Sequence, residues 1–133
     1  MLRRYICLSF TMVSLFVGVT GCALLEPKSD EEVVAQRAQE WSNALLEQDY
    51  SSAYAYTSPG FKSRESARKY TKRYAGSGIW INTNVEKVAC EVDTCEVVVK
   101  VRYKIQKQNL TASTLLTEKW VKVDGDWWLY HSD

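Results

Sequence analysis

Glu96-Val97-Val98-Val99-Lys100-Val101-Arg102-Tyr103-Lys104-Ile105-Gln106 is the stretch that decides the fold. Val97, Val99, Val101, Tyr103 and Ile105 take every second place, and Glu96, Lys100, Arg102 and Lys104 alternate with them. A period of two puts the apolar set on one face of a pleated strand and the charges on the other. One face against a core and one toward water is the habit of antiparallel sheets. Working outward, residues 79–90 read as a partner strand that opens on Trp80 and Ile81. Residues 115–123 and 127–131 read as two more.

Asp124-Gly125 between the last two strands is a tight-turn signal. A two-residue turn pairs Val123 with Asp126. A three-residue turn pairs Val123 with Trp127 and gathers Val121, Val123, Trp127 and Leu129 on one face. Turn chemistry favours the first and the apolar pattern the second. The reading adopted follows the apolar pattern, because a buried face specifies register strongly.

Before Gly76-Ser77-Gly78 the period is helical. Over residues 30–48, Val34, Ala38, Trp41 and Leu45 form one stripe, and Asp30, Glu31 and Glu32 suit the positive end of a helix. Asp49 is placed to cap a second helix over 50–57, and Ser58-Pro59-Gly60 to stop it. Ser63 is placed to cap a third helix to about residue 75, with Ala67, Tyr70 and Tyr74 on one side. The expected class is therefore α+β: N-terminal helices, one of them long, packed on a strongly bent antiparallel sheet of about four strands.

Length and composition agree with a single domain. The chain has 133 residues, 46% hydrophobic and 25% charged, which excludes a disordered chain, a collagen-like repeat and a polytopic membrane protein. A net charge of +1 supplies no bulk attraction to nucleic acid, and no nucleic-acid partner is expected.

Residues 1–21 read as an address rather than as fold. Arg3 and Arg4 precede an uncharged apolar run from Tyr5 to Val19, too short and glycine-interrupted for a membrane span. The run ends in Val19-Thr20-Gly21-Cys22, which resembles the bacterial lipobox. That resemblance implies cleavage before Cys22, diacylation of its thiol and acylation of the new amino terminus. An ordinary signal peptide or an uncleaved anchor is the alternative. Residues 22–29, with Pro27, Lys28 and Ser29, then form a lipidated tether, and 30–133 the domain. Acyl chains at about 0.8 kcal/mol per buried methylene would hold the protein to a membrane without a spanning helix. Ala23 stands where an Asp would resemble an inner-membrane retention signal. The implied location is the cell envelope, lipid-anchored, and the outer membrane facing the periplasm if the cell is Gram-negative.

Of four cysteines, Cys7 falls in the leader and Cys22 takes the lipid. Cys90 and Cys95 remain, flanked by strand-like residues, and outside the cytoplasm such a pair is expected to form a structural disulfide. A metal site would need about four ligands, and His131 is the only histidine. A redox pair would have two intervening residues at a helix start. No metal and no cofactor are expected.

Trp41-Ser42-Asn43-Ala44-Leu45-Leu46-Glu47-Gln48-Asp49-Tyr50-Ser51-Ser52-Ala53-Tyr54 resembles the opening of the nuclear transport factor two-like superfamily, also called SnoaL-like or cystatin-like cone. Val123-Asp124-Gly125-Asp126-Trp127-Trp128-Leu129 resembles its closing hairpin. The resemblance implies a bent sheet wrapping the long helix, with a pocket at the wide end. Some members dimerise through the sheet. Enzymatic members place an Asp, His or Tyr in the cone for proton transfer or dehydration.

Here Tyr103, Glu118 and Asp126 are candidates to point inward, and a solvated strand-face carboxylate is the plainer reading for the acids. His131, near the end of the chain, is expected to fray. Trp80, Tyr103, Glu118, Trp120 and Trp128 are the candidate pocket lining, suited to an apolar or planar ligand. The competing reading is that the aromatic residues are core, since such side chains dominate small cores. The cations Lys62, Arg64, Arg68, Lys69, Lys72 and Arg73 read as a solvated helix, or as a patch for anionic headgroups or an acidic partner. No catalytic set is identified. The expected function is a membrane-anchored envelope lipoprotein with a non-catalytic ligand- or protein-binding domain, its partners the membrane through Cys22 and an envelope protein or a second copy. A cone-pocket enzyme of isomerase or dehydratase type and a structural subunit of an envelope complex are the alternatives.

Overall fold

The structure, a computed structural model, describes residues 26–132. The expected leader with Cys7, and Cys22, the expected lipidation site, lie outside the described residues. The elements run α1 (Asp30–Leu46), α2 (Tyr50–Ala55), α3 (Pro59–Arg64), α4 (Ala67–Tyr74), a 3-10 turn (Ala75–Ile79), β1 (Trp80–Glu91), β2 (Thr94–Ile105), β3 (Leu110–Val123) and β4 (Asp126–Tyr130). The strands form one antiparallel meander in the order β1-β2-β3-β4. Breaks in register between Trp80 and Asn82 and between Val85 and Lys87 bend β1.

The sequence explains each element locally. Ser29 accepts from the Glu32 N–H while the Glu32 carboxylate accepts from the Ser29 N–H, so two orphan donors of α1 are satisfied at once. Val34, Ala38, Trp41 and Leu45 are fully buried against the sheet, facing Val97, Val99 and Val101 of β2 in the same core. Asp30 accepts from Trp127 Nε1 at 2.9 Å and from Lys122 Nζ at 3.0 Å, which fastens the start of α1 to the last hairpin. Cys90 and Cys95 are joined by a disulfide across the β1–β2 ladder, with Cα atoms 4.0 Å apart.

Three expectations are corrected. Ser58-Pro59-Gly60 starts a helix rather than stopping one. The Ser58 hydroxyl accepts from the Phe61 N–H, and Pro59 fills the first helical position, where its missing N–H costs nothing. The helix expected over 63–75 is two helices, broken by extended backbone at Glu65, and the cap of the second is Ser66, not Ser63. Thirdly, the last hairpin takes the two-residue turn. Val123 pairs with Asp126, and Asp124 and Gly125 both have positive φ, 52° and 86°. Positive φ at both central residues gives a primed turn, whose twist matches that of the strands, and Asp-Gly suits it. A buried face does set the register, but its members are Trp120, Trp127 and Leu129, all at most 2% exposed. Val121 and Val123 lie on the other pleat. β3 also begins at Leu110, earlier than expected, because the polar run Thr111-Ala112-Ser113-Thr114 hides its alternation while pairing with residues 101–104.

After α2 the chain joins the sheet edge. Leu129 N–H donates to Tyr56 O at 2.8 Å and Ser58 N–H to Leu129 O at 2.9 Å, so residues 56–58 cover the outer side of β4.

Candidate functional site

The concave pleat of the sheet is built from alternate residues, and register says which. Glu118 on β3 pairs with Val97 on β2. Lys119 pairs with Tyr130, which brings His131 alongside Glu118 one step further on. α3 and α4 then lower their aromatic stripe onto this row. The His131 ring lies 4.8 Å from Phe61, 5.9 Å from Tyr70 and 6.0 Å from Tyr74, centroid to centroid. Tyr70 and Tyr74 are one turn apart at 4.8 Å, and Trp41 of α1 meets Tyr74 edge-on at 5.9 Å. Trp41 Nε1–H donates to the Tyr70 hydroxyl at 2.7 Å, inside the core.

Electrostatics follow from burial. The Glu118 carboxyl is pushed up to about 7, because partial burial disfavours its anion more than the Arg73 guanidinium favours it. The same burial, with Arg73 adding to it, drives His131 down to about 4, so the imidazole is neutral at ordinary pH. Burial, with Glu118 nearby, raises both Tyr70 and Tyr74 well above the usual phenol range. His131 Nε2 and Trp120 Nε1 are buried without a hydrogen-bond partner among the described residues. A carboxylic acid that titrates near neutrality, a neutral imidazole and two phenols form a set capable of holding and passing a proton. The rings of Phe61, Tyr70, Tyr74 and His131, in mutual contact, occupy much of the space above it.

The five residues expected to line a pocket do not converge. Trp80, Tyr103, Glu118 and Trp120 share the concave pleat, with Trp80 paired to Tyr103. Tyr103 is six residues along β2 from Val97, the partner of Glu118, or about 20 Å at 3.3 Å per residue. Trp120 is fully buried core. Trp128 points the other way, under Arg37 and Lys62. Asp126 is exposed at the hairpin turn. Among the described residues two grooves each reach one of the five, Glu118 in the first and Tyr103 in the second. One, of about 540 Å³ near the disulfide, is lined by Ala89, Glu91, Glu96, Thr117 and Lys119 of the opposite pleat, with Cys90, Cys95 and Glu118 between them. The other, of about 440 Å³, is lined by Ile79 and residues 103–108.

His131 was expected to fray and is instead 7% exposed and ring-packed. Its phase with Trp127 and Leu129 was the available signal, as the one-turn spacing was for Tyr70 and Tyr74. The cations of residues 62–73 do not form one patch. Lys62 donates to Ala55 O, Lys69 pairs with Glu65 and Arg73 lies over Phe61. Among the described residues no group of acids, histidines and cysteines could hold a metal ion, and no helix is long and apolar enough to cross a membrane.

No family model matches the sequence, and no curated protein matches it. Solved structures do. A putative NTF2-like transpeptidase from Campylobacter jejuni superposes with a TM-score of 0.55 at 16% identity, over 76% of this chain and 97% of that one. An NTF2-like protein from Cytophaga hutchinsonii gives 0.56 at 16% identity, over 77% and 93%. A SEC-C motif containing protein from Psychrobacter arcticus gives 0.60 at 10% identity, over 80% and 63%. The fold is the nuclear transport factor two-like cone. In the terms of that cone, α1 is the helix the sheet wraps, and Glu118, His131, Tyr70 and Tyr74 line its inner wall.

Proposed function

We propose that this chain is an exported lipoprotein whose nuclear transport factor two-like domain is a binding module held at a membrane by acyl chains on Cys22. The observation that carries the reading is the leader: a positive start, an apolar run and Val19-Thr20-Gly21-Cys22, ending seven residues ahead of the helix cap at Ser29. The Cys90–Cys95 disulfide supports it, since such bonds persist in oxidising compartments. A binding role is the reading taken for the cone wall, where Trp41, Phe61, Tyr70 and His131 present an aromatic surface joined by ring contacts and the Trp41–Tyr70 hydrogen bond. The test is metabolic labelling of cells with a palmitate analogue. Label on the wild-type chain, lost in Cys22→Ala together with membrane fractionation, is the expected result. An unlabelled chain that still starts at Met1 would overturn it.

A second reading is favoured by one observation, the half-buried Glu118 whose carboxyl titrates near 7 without a hydrogen bond or ion pair among the described residues. In it the cone is a proton-transfer site, with Glu118 as the general base and Tyr74 beside the developing charge. Hydrogen–deuterium exchange at the α-carbon of a panel of cyclic ketones, dependent on Glu118 and lost in Glu118→Gln, would select this reading over the first.

A further inference from the structure

A second cluster of charge and aromatic rings lies away from the cone wall, where α1, α3, residues 54–56 and β4 meet. The Arg37 guanidinium carbon sits 5.2 Å from the centre of the Tyr56 ring and 5.3 Å from that of Trp128. Lys62 Nζ sits 4.9 Å from Trp128 and 5.9 Å from Tyr54. Two cations are thus drawn to one indole from two different helices. The main-chain pairing of Leu129 with Tyr56 and Ser58 sets Tyr56 beside Trp128, so the platform is fixed by the sheet and not by the cations.

The acid next to this pair, Glu40, attracts the Arg37 charge without bonding it and offsets only part of the positive charge. Glu40 is one turn from Arg37, but one of its oxygens accepts from Gln36 Nε2 at 2.8 Å and the other from the Tyr56 hydroxyl at 2.9 Å. Arg37 makes no hydrogen bond or ion pair among the described residues, and its Nε is buried without a partner. Lys62 spends one bond on the Ala55 carbonyl at 2.7 Å. Burial first, and the Arg37 charge second, hold Lys62 below the usual range of an ammonium. Two cations held together over one indole, beside an acid already bonded to neutral donors and with the guanidinium unbonded among the described residues, leave room for one more anion. A guanidinium lying on rings keeps the N–H donors of its edge free, and these match the oxygens of a tetrahedral or planar oxyanion.

We propose that Arg37 and Lys62, held over Trp128 beside Tyr56, form a binding site for a phosphate-type oxyanion, free in solution or carried on a lipid headgroup. The site goes beyond the binding role proposed above and does not use the cone wall. It requires no lipid on Cys22, so failure of the labelling experiment leaves it standing.

The test uses the full chain in a zwitterionic detergent and follows the tryptophan indole N–H signals by NMR during titration with inorganic phosphate at constant ionic strength. The site predicts a saturable shift of the Trp128 indole signal, with the Trp127 signal, bonded to Asp30, unmoved. Arg37→Gln and Lys62→Gln are each expected to weaken the phosphate affinity about tenfold or more, the loss of one charge-assisted bond. Glu40→Gln, which removes the competing negative charge, is expected to tighten it. An unmoved Trp127 signal in each variant shows that the fold is intact. A companion arm uses vesicles of phosphatidylglycerol against phosphatidylcholine. A Trp128 response to the first and not the second assigns the headgroup, and a response to inorganic phosphate alone assigns the free ion. A Trp128 signal that moves with neither probe, or moves without saturation and equally in the folded Arg37→Gln protein, overturns the proposal.

Discussion

Glu118 and His131 titrate in opposite senses, and the difference is measurable at a single side chain. The folded protein keeps the Glu118 proton up to about pH 7, whereas an unfolded chain releases it near 4.5. Between those values the folded state binds more protons, so this group withdraws stability as pH rises. His131 is the reverse. Its folded value is about 4 against 6.5 unfolded, so the unfolded chain gains a proton first on acidification and stability is lost as pH falls from 6.5 toward 4. Over the shared window the two slopes oppose one another, and urea midpoints of the wild type are expected to be nearly flat. Glu118→Gln exposes the His131 slope, with stability climbing by about 1–2 kcal/mol from pH 4 to 6.5 after allowance for solvent screening. His131→Phe exposes the Glu118 slope, with stability falling from pH 4.5 to 7. Parallel profiles for the two variants would contradict the assignment. Glu118 was visible in the sequence as an acid on a strand but its burial was not, because burial came from α4, whose tyrosines reach β3 only through tertiary packing. The position of His131 near the end of the chain points to fraying. Three ring contacts outweigh the tendency of termini to fray.

At the scale of elements, a local signal determines the structure where one mechanism acts alone and is ambiguous where two compete. The α1 stripe and the β2 alternation had no rival and both are found. At the last hairpin the apolar residues offered two registers, because Trp120 and Val121, and Trp127 and Trp128, are adjacent pairs in which either member is a credible core residue. Turn geometry decided between them. Gly125 has φ of 86°, and an added Cβ would meet nothing within 4 Å, so Gly125→Ala is penalised by backbone conformation alone. The expected cost is about 1 kcal/mol, read as a lower urea midpoint with unchanged slope. A change well beyond that would mean that the register itself had slipped, which would move Trp127 and Leu129 out of the core. Ser58-Pro59 is ambiguous in the sequence for a related reason. Proline ends a helix that precedes it and begins one that follows it, and only the Ser58 hydroxyl bonded to Phe61 N–H tells the two apart. The disulfide belongs to this scale too. It closes a loop of only five residues' separation, and the β1–β2 ladder continues beyond it. Cys90→Ala with Cys95→Ala is therefore expected to cost about 2 kcal/mol by chain entropy and to leave the circular dichroism spectrum unchanged.

Across the whole molecule, the start of α1 is fastened to the last hairpin of the sheet. Asp30, the first residue of α1, holds the Trp127 indole and the Lys122 ammonium, and its carboxyl is kept below the usual carboxylate range chiefly by the Trp127 bond. Lys122 in turn lies over the Trp127 ring at 5.4 Å. The first turn of α1 is therefore coupled to the β3–β4 hairpin. β4 is the shortest strand, bonded on one side to β3 and on the other by only two main-chain hydrogen bonds to residues 56–58. Asp30→Ala removes the fastening and leaves the Ser29–Glu32 cap in place. Amide hydrogen exchange is expected to quicken in β4 and at Tyr56 and Ser58, with β1 and β2 unchanged, since local opening is set by the contacts a segment itself makes. Acid should imitate the substitution in the wild type, but only below the ordinary aspartate value of 3.8, because a depressed carboxyl keeps its contribution above that value and loses it as pH falls further. Exchange that quickens uniformly through the sheet would mean instead that Asp30 supports global stability, and that the hairpin has no opening mode of its own.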